Sequence, residues 1–257
     1  MNFSVLKIGD YDPSLGRKIK EIILSSDTFI VYIDTNNTIC WATENHSVFG
    51  ENFGNISNQI SNWESICNRL FSKQDSYDYK SLLAEGYARM LDEGNDITAQ
   101  IVIDQTIERI KQQGKQILRQ DYLISSLFTT GFIVLALIVT IIFKKNIIVF
   151  IDRSIYEILI TSYLGGIGAF ISTMVRARNY NAEISSSRRI HIIDGALRII
   201  YGLIAGVLIS LGIKSNIIFG FVNSIDKNIY VLSFLGAIGG ASEMILPNII
   251  KQFEDEI

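Results

Sequence analysis

Apolar positions follow two different patterns along the chain. Up to about residue 121 they are broken every few residues by charge, whereas from Tyr122 onward they gather into long runs. Crossing roughly 30 Å of hydrocarbon as a helix takes about 20 mainly apolar residues. The clearest such run, Tyr122–Phe143, carries no charge. A short turn at Lys144-Lys145-Asn146 follows, and three further runs at 154–175, 191–213 and 228–250 complete four expected membrane spans.

The first half reads differently. Residues 28–42 predict two short strands around Asn36-Asn37, with β-branched and aromatic residues on either side of turn residues. Two strands do not make a stable sheet. They are expected to pack on helices near 14–25 and 59–72, or on a neighbouring protomer. Helical spacing continues over Tyr79–Glu93 (Leu82, Leu83, Tyr87, Met90, Leu91) and over Asp96–Gln120 (Ile101, Ile103, Ile107, Ile110, Leu118), with Gly94-Asn95-Asp96 as stop and N-cap. Only Gly114 interrupts the second of these before Tyr122, so a nearly continuous helix from Asp96 to Phe143 is expected. The predicted fold is mainly α: a small α+β cytoplasmic domain at 1–95, a helical stalk at 96–121, and a four-helix transmembrane domain at 122–257.

Charge follows the same division. Residues 1–121 hold 12 Lys/Arg and 17 Asp/Glu, and residues 122–257 hold 11 and 9 together with 12 of the 19 glycines. A wholly soluble enzyme, a disordered chain and a disulfide-rich secreted scaffold are all poor fits, since Cys40 and Cys67 are the only cysteines. The charges scattered through Met1–Ile30 speak against a cleavable signal peptide. Cations near the span ends set orientation by the positive-inside rule. Arg176, Arg178, Arg188 and Arg189 lie between the second and third spans, and they favour an N-terminus and a C-terminus on the cytoplasmic side, with the arginines at the lipid headgroups.

Small and ionisable residues within the spans carry the candidate chemistry. The block at 163–169 and that at 234–240 align at an offset of 71 residues, which suggests two helical hairpins in parallel copy. Gly165, Gly168 and Ser172 share a helical face, as do Gly236, Gly239 and Glu243, with Gly240 beside them. Such stripes admit close helix packing or line a pore, and both readings stay open. Charge deep in a bilayer costs at least about 2.5 kcal/mol and needs a partner or water. Arg198 and Glu243 each lie about seven residues from a cytoplasmic span end, so an intramembrane ion pair between them is expected, with Asp194 one turn from Arg198 and a bend at Pro247. It is either a static clamp or a gate. Glu157 and Asp152 at the outer end either form a ring of negative charge at an outer mouth or reach into the interface.

Other chemistry is missing. His46 and His191 are the only histidines and lack ligand-spaced partners, so no metal and no cofactor is expected. No phosphate loop, nucleophile elbow or metalloprotease motif is present, and no enzyme activity is expected.

The last span, with Ser242, Glu243 and Pro247, together with the Leu-Gly-Gly-Ile-Gly-Ala block at 164–169 and Gly-Ala-Leu-Arg at 195–198, resembles small bacterial membrane proteins encoded with anti-phage systems. In layout the chain is similar to the HalA-type channels of the Hailong system. The resemblance covers about residues 120–250 and implies an inner-membrane homo-oligomeric ion channel, a tetramer by preference. It also implies control by a nucleotide or oligonucleotide signal from a partner nucleotidyltransferase. Residues 1–95 take no part in the resemblance. A non-conducting scaffold or sensor docking a cytoplasmic partner, and a small secondary transporter, are the alternative readings.

Overall fold

A computed structural model describes residues 3–44, 52–93, 96–177, 180, 182–225 and 228–242. It divides into two compact units, one of residues 1–117 and 183–187 and one of residues 118–182 and 188–257. The chain is mainly helical, with one small antiparallel sheet near its start.

In the first unit the expected pair of strands is present as β2 (Phe29–Asp34) and β3 (Ile39–Thr43). Asp34 fixes the turn between them: its Oδ1 accepts from the backbone N–H of Asn36 at 2.9 Å and of Thr38 at 2.8 Å. Asn37 takes the left-handed conformation that such a turn requires and that Asn tolerates (φ 59°). The helix expected near 14–25 is not formed. Its place is taken by a turn over Asp12–Arg17 and by a third strand, β1 (Ile19–Ser25), giving the sheet order β1-β2-β3. Gly16 at φ 64° and Pro13 use up the first half of that stretch, and the seven residues left, with three Ile among them, pair better than they coil. All six residues of β2 are buried, so this strand is the centre of the unit.

Three helices build on the sheet. The first, α1 (Phe53–Leu70), begins earlier than expected and buries Ile56, Ile60, Cys67 and Leu70 at helical spacing. The next, α2 (Lys73–Glu93), also starts earlier, because Ser72 caps it: Ser72 Oγ accepts from the Asp75 N–H and donates to its carboxylate at 2.7 Å. The third, α3 (Asp96–Ile142), is a single helix of 47 residues that extends past the unit boundary at Ile117. Ala99, Ile103, Ile107 and Ile110 are its buried apolar side chains in this unit, with Thr106 buried beside them, while Ile101, expected among them, is exposed. Lys80 is wholly buried on α2. Its ammonium donates to the Asn37 carbonyl and faces Glu64 at 3.4 Å, and Glu64 in turn accepts from the Ile39 N–H at 3.0 Å. The buried cation thus ties α2 and α1 to the β2–β3 hairpin.

Both cysteines are buried, and burial pushes the Cys67 thiol up to about 12 and raises that of Cys40. A thiol with a raised folded-state value holds its proton longer when folded than when unfolded. Stability of this unit should therefore fall as pH rises from about 9 to about 12. Trp41 and Trp63 are the only tryptophans, and both lie in this unit. Urea unfolding followed by their fluorescence should show the decline, and Cys67→Ala should flatten it.

The second unit begins within α3, whose buried positions Leu118, Tyr122, Ser126, Thr130, Ile133 and Thr140 form one stripe. Where a turn was expected at Lys144–Asn146, a short helix α4 (Lys144–Phe150) forms without burying any residue. Next come α5 (Arg153–Ala177), α6 (Arg188–Lys214) and α7 (Asn228–Ala241). α3, α5 and α6 are each long and apolar enough to cross a membrane. The fourth expected span is described only over the 14 residues of α7, about 21 Å at 1.5 Å per residue. Large apolar side chains such as Phe128 and Phe132 of α3 and Tyr230 and Phe234 of α7 face outward, as lipid-facing residues do.

Candidate functional site

The membrane unit is built around a seam in which glycines stand where side chains would hold helices apart. α5 is its middle member, packed on both α6 and α7. The Thr161 carbonyl lies between two glycines, since a Cβ on Gly206 of α6 would come within 2.6 Å of it and one on Gly236 of α7 within 2.8 Å. Gly165, one turn further along, repeats the arrangement: a Cβ on Gly202 would lie 2.7 Å from its carbonyl, and one on Gly240 would collide with it. Gly168 abuts the backbone of Ala237, and Gly239 abuts Ile209. Without a hydrophobic drive between helices in lipid, backbone approach of this kind supplies the van der Waals contact that holds them. Ser172, expected on the same face, is half-buried at the end of the stripe.

Hydroxyls sit along the seam. Thr161 and Thr173 return their O–H groups to carbonyls one turn earlier, and Ser162 donates to the Leu203 carbonyl at 3.0 Å. Ser210 Oγ on α6 is buried with no hydrogen-bond partner among the described residues.

At the end of the seam where α5 begins lies a carboxylate. Glu157 is buried and accepts from Lys214 Nζ at 2.7 Å and from Arg153 Nε at 3.2 Å. Lys214 also donates to Ser154 Oγ at 3.0 Å, so the last turn of α6 is fastened to the first turns of α5. Gly202, Gly206, Ser210 and Lys214 are spaced by four and form the α6 side of the seam. Asp152 is exposed just ahead of α5, and its carbonyl accepts the Ile155 and Tyr156 N–H groups at 3.0 and 3.2 Å.

At the opposite end aromatic and basic groups meet. Tyr122 of α3 stacks on Tyr180, with centroids 4.5 Å apart and planes 9° from parallel. Tyr180 Oη is 2.8 Å from Nδ1 of buried His191, and Arg198 Nη1 donates to Tyr122 Oη at 3.2 Å. Arg188 pairs with Asp121 through two hydrogen bonds of 2.6 and 2.8 Å, a fork geometry that fixes direction as well as charge. Arg176 lies exposed in the last turn of α5, Arg189 is exposed beside Arg188, and Asp194 is exposed one turn before the half-buried Arg198. Glu243, Pro247 and Arg178 lie outside the described residues.

Of the residues singled out from the sequence, the structure brings Gly165 to Gly240 and places Gly168 and Gly236 at backbones of the same bundle. Sequence reasoning missed Thr161, Gly202, Gly206 and Lys214. Small residues four apart on α6 were the available signal for the two glycines. Comparison with known protein families, with curated proteins and with solved structures finds no match for this chain.

Proposed function

We propose that the chain is a membrane effector of bacterial antiviral defence: a homo-oligomeric ion channel of the inner membrane, a tetramer by preference, gated through its cytoplasmic N-terminal unit. The observation that carries this reading is the unbroken course of α3, which leaves a folded, charge-rich unit and continues as a membrane-length apolar helix. A helix without a hinge transmits displacement along its axis, whereas a flexible linker would absorb it. The defence role rests on the resemblance at 164–169, 195–198 and 234–250, and so does control by a nucleotide-type signal from a partner nucleotidyltransferase.

Under this reading α7 continues as the fourth span to about Ile250, 96–121 is the stalk, and both termini are cytoplasmic. The closed seam bears on where ions pass. Backbone touches backbone from Thr161 to Gly168, so there is no room for a hydrated ion between α5, α6 and α7 of one protomer. The closed seam favours a pathway between protomers, and this reading therefore calls for an oligomer. Depolarisation of the cell on infection is the physiological outcome.

The test is ion flux from vesicles carrying the purified full-length protein, paired with a mass measurement of the detergent-extracted complex. Flux from an oligomer supports the proposal. A monomer, or an oligomer silent with the N-terminal unit intact, mutated and proteolytically removed, argues for a non-conducting scaffold.

A further inference from the structure

We propose that α4 and the connection between α6 and α7 form a lipid-binding surface, sunk into the headgroup layer at the end of the bundle where α5 begins. With both termini cytoplasmic this is the outer leaflet. The surface requires only that the bundle lie in a membrane and is independent of the channel reading. Its two parts share one end of the bundle: α4 leads into α5, and Lys214, at the end of α6, donates to Ser154 and Glu157 in the first turns of α5. Helix length fixes the depth of that end. α5 and α6 have 25 and 27 residues, about 37 and 40 Å at 1.5 Å per residue. This exceeds the roughly 30 Å of hydrocarbon but not the roughly 40–45 Å of the whole bilayer. With Arg176 and Arg188 of the opposite ends at the cytoplasmic headgroups, the far ends come to rest among headgroups and not in bulk water.

The connection after α6 is built to present apolar side chains there. α6 stops at a left-handed Asn216 (φ 59°), and the N–H groups of Ile217 and Ile218 both return to the Gly212 carbonyl, at 3.0 and 3.1 Å. Ile218 and Val222 turn inward, where Val222 is fully buried with Ile213 and Leu232. Asn223 locks the turn, its Nδ2 donating to the Ile213 carbonyl at 2.7 Å and to Asn216 Oδ1 at 2.6 Å. Ile217, Phe219 and Phe221 are left facing outward, 60%, 54% and 66% exposed, with the two rings edge to face at 6.1 Å. Phe219 is itself left-handed (φ 46°), a conformation that a bulky residue adopts only against a steric cost and that glycine would take freely. Its ring is more than half outside the bundle, so internal packing does not account for the choice. A partner beyond the chain does.

Two observations identify that partner as lipid. The outward rings continue rows of side chains that already face the hydrocarbon, Leu208 and Leu211 on α6 and Tyr230 on α7. On α4 no residue is buried, Val149 and Phe150 stand almost fully exposed, and Lys144 and Lys145 open the helix. Apolar groups for the acyl boundary beside ammonium groups for the phosphates match the layering of a bilayer surface.

The test uses the full-length protein in phosphatidylcholine–phosphatidylglycerol vesicles, carrying Phe219→Trp or, separately, Phe150→Trp. Wild-type protein, with Trp41 and Trp63 alone, supplies the baseline to subtract. Phospholipids brominated near the headgroup end of their chains should quench the added emission about twofold, and aqueous acrylamide should quench it about fivefold less than in denatured protein. Both positions must respond, and a response at one alone overturns the surface as a unit. Acrylamide quenching equal to that of denatured protein, with no effect of brominated lipid, puts these side chains in water and overturns the proposal. Shielding from both quenchers makes the surface a contact between copies of the chain and overturns it equally. Should Phe219→Trp fail to assemble, Phe221→Trp is read by the same criteria, since that ring is exposed on a backbone outside the left-handed region.

Discussion

Gly165→Leu should abolish the packed membrane unit, whereas Gly131→Leu on α3 should leave it intact. Both are glycines in membrane-length helices and both gain the same apolar side chain, so lipid solubility and helix propensity change alike. Only the surroundings differ. A Cβ on Gly165 collides with the Gly202 carbonyl and comes within 3.1 Å of the Gly206 backbone, while nothing lies within 4 Å of one on Gly131. A flexible side chain can move aside, but a helix backbone moves only as a whole. α5 would have to withdraw from α6 and α7 together, because the Gly165 carbonyl is also the surface against which Gly240 rests. Overpacking of well-filled cores costs about 1–3 kcal/mol, occasionally more. With two backbones obstructed, a loss of about 3 kcal/mol or more is expected. Resistance of the detergent-solubilised protein to SDS unfolding and to proteolysis measures it, and comparable resistance of the two leucine variants would remove the seam from the account of this unit.

Much of this architecture was legible wherever a local rule and the tertiary structure agreed. The β2–β3 hairpin was readable because Asn36-Asn37 sits between two β-branched runs and Asp34 is placed to cap the turn. The unbroken α3 was readable because a single glycine does not stop a helix. The stretch at 14–25 was not, since seven residues around three isoleucines carry no periodicity that separates strand from helix. What decided it was an exposed edge of β2 in need of a partner, a property of the sheet rather than of the stretch itself. The early start of α2 was missed although Ser72 and Asp75 are a recognisable capping pair, because the apolar pattern sets in only later.

The site was legible in its glycines and not in its pairings. Spacing brought Gly165, Gly168 and Gly236 to notice, but which residues they meet, antiparallel between α5 and α6 and parallel between α5 and α7, depends on relative helix depths that a sequence does not state. Glu157 and Lys214 illustrate this. They are 57 residues apart, and Glu157 stood between a ring of charge at an outer mouth and a side chain reaching into the interface until the α5–α6 seam set Lys214 2.7 Å from it. The aromatic cluster has the same origin, since Tyr180 lies in a connection and only the meeting of α3 with α6 gives it Tyr122 and His191 as neighbours.

Lys214→Ala should destabilise the membrane unit far more than the double variant Glu157→Gln/Lys214→Met. Removing the ammonium leaves a carboxylate that is 6% exposed with only Arg153 as a charged partner among the described residues. Arg153 is 78% exposed at its side chain, so water weakens its hold. Stranding one member of a buried pair costs about 3–5 kcal/mol, while replacing both by neutral groups of similar volume is often close to neutral. A double-mutant cycle on SDS or thermal unfolding should therefore show strong coupling between the two positions. Conductance then separates fastening from ion selection. A carboxylate neutralised by an ammonium within its own protomer contributes little negative potential to a passing ion, so the double variant should assemble and keep the wild-type reversal potential in a salt gradient. A shift of that potential in a stable double variant would instead return Glu157 to the outer mouth, with Lys214 acting as a latch that must let go before cations are drawn in.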